Sequence, residues 1–357
     1  MTIAPLNTWL HSKEEPLIIA GPCGAESEQQ MLETAELISK IPQVALFRSG
    51  VWKPRTRPNS FEGMGDKALK WLQEVKQRYH LKTTVEVANA QHVEMALKHG
   101  VDVLWVGART TVNPFSVQEI ANSLKGVNVP VMIKNPIHAD LQLWIGAIER
   151  INQAGITQIA AIHRGFHYYG AHKYRNEPLW KLPIELRTLL PEIPVICDPS
   201  HIAGKRDLIQ EVAQEALNMG FNGLMIESHY KPDEALSDAK QQLTPADLTK
   251  LISNLKIRTD RSSDSEVKVY LDDLRKLIDT IDEELMDVIQ KRENVIRLIG
   301  QYKKDHNVTA FQLERWQEIL KTRAQWADKR NISRAHIEKL CQLLHEESIR
   351  IQNELLD

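Results

Sequence analysis

VICDPSHIAGKRDLIQEVAQEALNMGFNGLMIESH, residues 195–229, sets the architecture for most of the chain. Two short apolar runs, 195–197 and 224–226, flank a helix-length amphipathic segment, and each run stops at a polar cluster, CDPSH or IESH. Near-continuous hydrophobicity of this kind suits a parallel strand buried on both faces. The same unit recurs upstream. Apolar runs at 17–20, 44–47, 84–87, 103–106, 131–133 and 159–162 bring the strands to eight, separated by segments long enough for helices. Eight βα units are the count of a (β/α)8 barrel. An open doubly wound sheet uses the same alternation. The strand count favours the barrel, as do the polar clusters GPCGAES, RSGVWKPRTRP, EVAN, GART, KNP and HRGFH that end the other runs. In a barrel all strand ends open on one face, where active sites are built, so these distant groups would meet in one pocket.

Near Lys256 the pattern changes. IRTDRSSDSE is polar and aperiodic and reads as a linker. Beyond it Leu271, Leu274, Ile278, Ile281, Leu285, Val288, Val295, Ile299 and Tyr302 alternate three and four apart, with Arg292 in the one seam position left vacant. Such spacing predicts a long helix with a narrow apolar seam. At 1.5 Å per residue it would run roughly 50 Å or more, too long to pack only against the shorter helices expected at 311–330 and 333–356. A partner chain is therefore expected. The organisation is a barrel over 1–257, a linker over 258–267 and a small all-α domain over 268–357.

The bulk properties exclude several classes. The 357-residue chain is 42% hydrophobic and 26% charged, with a formal net charge of −2, so nothing draws it as a whole to nucleic acid or anionic membrane. No apolar stretch approaches the roughly 20 residues needed to cross a bilayer. Three scattered cysteines, Cys23, Cys197 and Cys341, make no disulfide framework and suit a reducing compartment. The start, MTIAPLNTWLHSKEEP, lacks the features of a secretory leader. A cytoplasmic protein is expected.

Cys23, His201, Glu227 and Asp238 each stand at or just beyond an expected strand end. Singly, a Cys is ordinarily an inert small hydrophobe and an Asp a cap or surface charge. Together, a thiolate, an imidazole and two carboxylates form a mixed donor set for a divalent transition metal, with manganese, iron, cobalt and zinc all open. Arg48, Lys53, Arg55, Arg109, Lys134 and Arg164 also fall at strand ends rather than on helix faces. Several cations around one pocket call for anions, and Arg suits bidentate phosphate or carboxylate recognition. In the helical part, Arg292 and Lys303 are eleven residues apart and so within roughly 20° on one helix face. Ser348 and Gln352 share a face at i and i+4. Arg292 could instead serve an interhelical salt bridge; Arg, Lys, Ser and Gln together would suit a small dicarboxylate.

GPC, FRSGVWKPRT, GART, CDPSH and ALSDAKQQL resemble 3-deoxy-D-arabino-heptulosonate 7-phosphate (DAHP) synthase of the type I beta group, over nearly all of residues 10–256. The group is related to 3-deoxy-D-manno-octulosonate 8-phosphate synthase. The resemblance implies condensation of phosphoenolpyruvate with erythrose 4-phosphate, the first step of the shikimate pathway, and a divalent cation, Mn2+ ahead of Fe2+, Co2+ or Zn2+. It matches Cys23, His201, Glu227 and Asp238 to the metal ligands. Arg48, Lys53, Arg109, Lys134 and Arg164 match the residues that hold phosphoenolpyruvate, with Lys53 also a candidate for proton transfer. Pro54, Arg55 and Thr56 match the segment that receives erythrose 4-phosphate. Two departures stand out: Asn135-Pro136 where relatives often have Arg-Gly, and His163 where they often have Glu.

LRKLID, IQKRENVIRLIGQYK and EESIRIQ resemble the all-helical chorismate mutases over 268–357. That resemblance implies rearrangement of chorismate to prephenate in a pocket of Arg275, Arg292, Lys303, Arg315, Ser348 and Gln352, with Lys303 and Gln352 serving the ether oxygen. Arg275 lies well off the Arg292 face, and the family supplies that Arg from the partner of a homodimer; a homotetramer is the larger alternative. Trp316 departs from a Glu common in relatives. Few residues precede the first strand, so the helical domain is expected to sense prephenate or chorismate and damp the barrel. The competing reading is a sugar-acid synthase of the octulosonate or sialic acid type whose helical part only dimerises and senses ligand.

Overall fold

The computed structural model describes residues 1–53, 60–170, 173–258 and 265–356. It divides into two compact units, Met1–Asp260 and Arg261–Asp357. In the first, strands β1 (Ile18–Gly21), β2 (Val44–Ser49), β3 (Thr83–Val87), β4 (Val103–Val106), β5 (Val131–Lys134), β6 (Ile159–His163), β7 (Val195–Cys197) and β8 (Gly223–Glu227) close a barrel in chain order. Neighbouring strands are parallel throughout, β8 pairing back on β1 from Ile18↔Leu224 to Gly21↔Glu227. The barrel, not the open sheet, is the fold.

Helices follow the strands: α1 (Glu28–Ile38), α2 (Asp66–Tyr79), α3 (Ala90–Lys98), α4 (Ala108–Thr111), α5 (Pro114–Ser123), α6 (Leu141–Gln153), α7 (Lys181–Leu189), α8 (Pro199–Ala203), α9 (Arg206–Asn218) and α10 (Pro245–Asn254). Their starts are written in the sequence. Ser27, Asn89, Asn113, Asp140, Asp198 and Thr244 each accept a backbone N–H of the first turn, caps worth about 0.5–2 kcal/mol apiece.

Strand residues alternate between two cores. Ile19, Leu46, Trp105, Met132, Ile162, Ile196 and Met225 fill the barrel interior, with Trp9 and Leu10 closing its N-terminal end. Ile18, Phe47, Val85, Leu104, Ile133 and Leu224 pack outward on the helices. Burying each such side chain contributes about 1.5–3 kcal/mol. Both faces are dry, which is why the strands read as unbroken apolar runs.

The second unit consists of α11 (Ser265–Asp305), α12 (Leu313–Asp328) and α13 (Arg334–Leu356), α13 packing on both others. Gly300 sits where a Cβ would come 2.8 Å from Leu355 Cδ1 and 3.3 Å from Gln352 Cγ, so glycine lets α11 and α13 approach there. The 41 residues of α11 keep the seam exposed: Ile278 is 57% and Val288 59% accessible. Among the described residues of this unit, Ala327 and Ile351 are the apolar side chains that are buried. No described helix is long and apolar enough to cross a membrane.

Candidate active sites in the two units

At the C-terminal rim of the barrel, the turn after β1 places Cys23, the end of β8 places Glu227, and the loop beyond places Asp238. One ligand atom from each of the three lies within 4.8 Å of the others. Cys23 Sγ is 3.3 Å from Asp238 Oδ2, 3.1 Å from Ser237 Oγ and 2.8 Å from Lys53 Nζ. His201, from α8 after β7, aims Nε2 toward Glu227 Oε1 at 3.8 Å. Its other nitrogen, Nδ1, meets Asp198 Oδ1 at 3.0 Å, and the same carboxylate caps α8 at His201 N. Such a pairing fixes the tautomer that leaves Nε2 as an acceptor.

The electrostatics suit a cation. Burial pushes the Cys23 thiol up to about 12, with Glu227 adding to the effect. Burial lowers the His201 pKa, against the pull of Asp198. For Asp238 burial opposes charge, but Arg175 and His201 outweigh it and hold the carboxyl well below its ordinary range. Glu227 is lowered likewise, burial being overcome by His201 and Arg48. Among the described residues, buried Glu227 Oε1 has the Arg48 ion pair at 3.3 Å but no well-aligned hydrogen bond, which leaves it room to accept a cation. One cysteine sulfur, which a bound metal would hold as thiolate, one imidazole and two carboxylates fit a divalent transition metal.

Around this cluster stand the cations. Arg48, buried at the end of β2, places Nη1 3.3 Å from Glu227 Oε1. Lys134, at the end of β5, pairs with Asp198 Oδ2 at 2.7 Å. Arg164 is buried and donates Nη1 to Asn176 Oδ1 at 2.8 Å; burial, with Arg175 and Arg109 nearby, lowers its pKa to about 10. Arg109 lies on α4, exposed toward the rim. A cavity of about 190 Å3 beside Lys53 is lined by Trp52, Glu62, Glu86, Ala88 and His92. A larger one, about 910 Å3, lies at the opposite end of the strands beside Leu10, Leu17, Pro194 and Asn222 and holds none of these groups. Pro54, Arg55 and Thr56 fall outside the described residues.

Three residues acquire a place that the sequence did not assign. Asp198 serves His201 and Lys134 together; its signal was its position three residues before His201 in CDPSH. Glu86, in EVAN, accepts Trp105 Nε1 at 3.1 Å on the rim. Asn135, one of the two departures, is spent on backbone: it donates to Pro136 O and Gly165 O and accepts from Arg164 N, tying β5 to β6. The other departure, His163, lies outside this group of cations. Strand alternation turns it outward against Trp144, Phe166, Trp180 and Phe221, at ring separations of 5.1–6.3 Å.

In the helical unit, Ser348 and Gln352 are buried on one face of α13; Gln352 Nε2 donates to Ser348 O, and its Oε1 is buried without a hydrogen-bond partner among the described residues. Lys303 Nζ donates to Ala310 O at 2.7 Å. Burial chiefly, then Arg292 and Lys303, depress the His345 pKa, and this imidazole stacks on Trp316 at 4.3 Å. A cavity of about 360 Å3 opens beside Arg292, His345, Trp326 and Cys341. Arg315 pairs with Glu318 and Arg275 with Asp272, all four side chains being largely exposed.

Residues 3–262 match the DAHP synthetase I family, and residues 274–353 match chorismate mutase type II. Over 239 residues the chain is 31% identical to a phospho-2-dehydro-3-deoxyheptonate aldolase of Thermotoga maritima, spanning 67% of this chain and 68% of that protein. A 2-dehydro-3-deoxyphosphooctonate aldolase of Legionella pneumophila is 28% identical over 265 residues, 68% of this chain and 92% of its own length. A solved DAHP synthase of Thermotoga maritima superposes with a TM-score of 0.59 at 29% identity, over 66% of each chain. A truncated form of the 3-deoxy-D-arabino-heptulosonate 7-phosphate synthase from the same organism gives 0.56 at 26% identity, over 72% of this chain and 87% of that one.

Proposed function

Because the chain belongs to the DAHP synthetase I family and carries a chorismate mutase type II domain behind it, we propose that it joins phosphoenolpyruvate to erythrose 4-phosphate and separately rearranges chorismate to prephenate. The observation that carries the first reading is the meeting of Cys23, Glu227 and Asp238, with His201 beside them, at the rim where the buried cations stand.

Cys23, His201, Glu227 and Asp238 would hold a divalent cation, Mn2+ by preference. A bound cation supplies Lewis-acid polarisation of the aldehyde oxygen. Arg48, Lys53, Arg109, Lys134 and Arg164 hold phosphoenolpyruvate by its phosphate and carboxylate, and Pro54, Arg55 and Thr56 receive the sugar phosphate. These clamps orient C3 of phosphoenolpyruvate on the aldehyde carbon, which provides most of the chain's own contribution to the rate. Water adds at C2 and phosphate departs by C–O cleavage. Lys53 Nζ, 2.8 Å from Cys23 Sγ, is placed to deliver the proton that the new hydroxyl needs.

In the helical unit, Arg292, Arg315 and the partner's contribution at position 275 would clamp the two carboxylates of chorismate, with Ser348 beside them. Lys303 Nζ and Gln352 Nε2 donate to the ether oxygen as charge develops there. The exposed seam of α11 supports a homodimer. Prephenate or chorismate bound in this unit would damp the barrel's rate, an effect absent if condensation kinetics stay unchanged at saturating prephenate.

A metal-free preparation, assayed for both reactions before and after Mn2+ is restored, tests the assignment. Condensation should vanish and return, while chorismate turnover stays constant. Condensation that survives metal removal would overturn it. Arabinose 5-phosphate in place of erythrose 4-phosphate tests the octulosonate alternative that the Legionella relative suggests.

A further inference from the structure

The loop between β6 and α7 carries two adjacent residues that reach different parts of the rim. Arg175 Nη1 donates to Asp238 Oδ1 at 3.0 Å and to Gln241 Oε1 at 2.6 Å. Gln241 in turn donates Nε2 to Glu227 Oε2 at 2.7 Å. One guanidinium thus fixes two carboxylates of the cation cluster, one directly and one through an amide. Asn176, buried, faces the other way. Its Oδ1 accepts Arg164 Nη1 at 2.8 Å, and its Nδ2 donates to His201 O at 2.6 Å.

The surrounding backbone is shaped to receive this pair. Phe166 and Glu177 exchange backbone hydrogen bonds of 2.8 Å across the loop, and Asn176 N reaches Ile202 O at 3.2 Å. Gly204, at φ +68, lies where a Cβ would come 2.4 Å from Arg175 Cβ. Gly165, at φ +75, lies where one would come 2.9 Å from Asn176 O. Glycine at both positions leaves room for the two residues and adopts the left-handed backbone that other side chains avoid.

We propose that Arg175 and Asn176 are positioning residues that join the cation cluster to the phosphoenolpyruvate subsite, Arg175 setting cation affinity and Asn176 setting the aim of Arg164. Neither touches the reacting atoms; each acts through the residue it holds. The proposal rests on the function assigned above. It differs from an ordinary structural role in separating two affinities: a loop that merely supported the fold would weaken both together. Partners of metal ligands typically alter metal affinity by about 10–100-fold when removed.

The test is calorimetric titration of the metal-free full-length protein with Mn2+ alone and with phosphoenolpyruvate alone, for the parent, R175Q, R175K and N176A. R175Q should weaken Mn2+ binding by about tenfold or more and leave phosphoenolpyruvate binding within about twofold. R175K, which keeps the charge but loses the planar fork, should fall between R175Q and the parent, and it carries the test alone if R175Q does not fold. N176A should weaken phosphoenolpyruvate binding more than Mn2+ binding, because Asn176 holds the Arg164 side chain directly and His201 only by its backbone carbonyl. Parental Mn2+ affinity in R175Q and R175K, or equal losses of both affinities in every variant, would overturn the proposal. A parent protein that binds neither ligand would overturn the reading of the site and this inference with it.

Discussion

Replacing His163 by Leu isolates one buried titration. The imidazole is fully enclosed among Trp144, Phe166, Trp180 and Phe221. Burial lowers its pKa from 6.5 to about 3, although the Pro178 backbone and Asp198 favour the charged form. The unfolded chain therefore takes up a proton near pH 6.5 that the folded barrel refuses until about pH 3. With more protons bound to the unfolded state across that window, stability falls as pH falls. The slope approaches 1.4 kcal/mol per pH unit, and between pH 7 and pH 5 the loss integrates to about 2 kcal/mol. Other groups titrate there too, so the quantity to measure is the stability of the parent minus that of H163L, from urea titrations followed by tryptophan emission. That difference should shift by about 2 kcal/mol against the parent on going from pH 7 to pH 5. A difference that stays flat would show that the imidazole accepts its proton in the folded state, and the account of an outward, dry His163 would be wrong.

Three further outcomes follow from the geometry. Asp198→Asn keeps the shape but removes the charge that orients His201 and pairs Lys134; Mn2+ affinity measured by calorimetry should drop about 10–100-fold, and an unchanged affinity would deny Asp198 that role. Gly204→Ala meets both a φ of +68 and Arg175 Cβ at 2.4 Å, so thermal denaturation should register a loss of about 1–3 kcal/mol, whereas parental stability would mean the loop yields freely. Ile281→Glu places a charge on the exposed α11 seam; sedimentation should show a dimer becoming a monomer with chorismate turnover lost, and a variant that remains an active dimer would locate the interface elsewhere.

The barrel was legible because its strands are buried on both faces and so appear as apolar runs with nothing to interrupt them. What that signal hides is direction. His163 and Arg164 are neighbours in one motif, yet strand alternation sends the first into the helical layer and leaves the second at the pocket. A run without polar alternation gives no marker for which of the two faces inward, so nothing in the sequence identified His163 as a packing residue of the outer core. Asn135 was obscure for a related reason. Its consequence depends on three backbone partners at Pro136, Gly165 and Arg164, and backbone groups carry no sequence signature.

The helical unit shows a different boundary of legibility. Its seam was readable at three-and-four spacing, and α11 runs through it without interruption. The same seam lies exposed along one chain, and Arg275 pairs with Asp272 rather than with the buried Ser348 and Gln352. With so little apolar surface hidden, such a unit gains too little from burial to offset the ordering of its own backbone, which costs about 1–2 kcal/mol per residue. A second copy laid along α11 would supply the missing burial. If that copy also brings its own position 275 to the first chain's Arg292 and Lys303, then stability and the mutase pocket depend on one contact, and charge at Ile281 should abolish both at once.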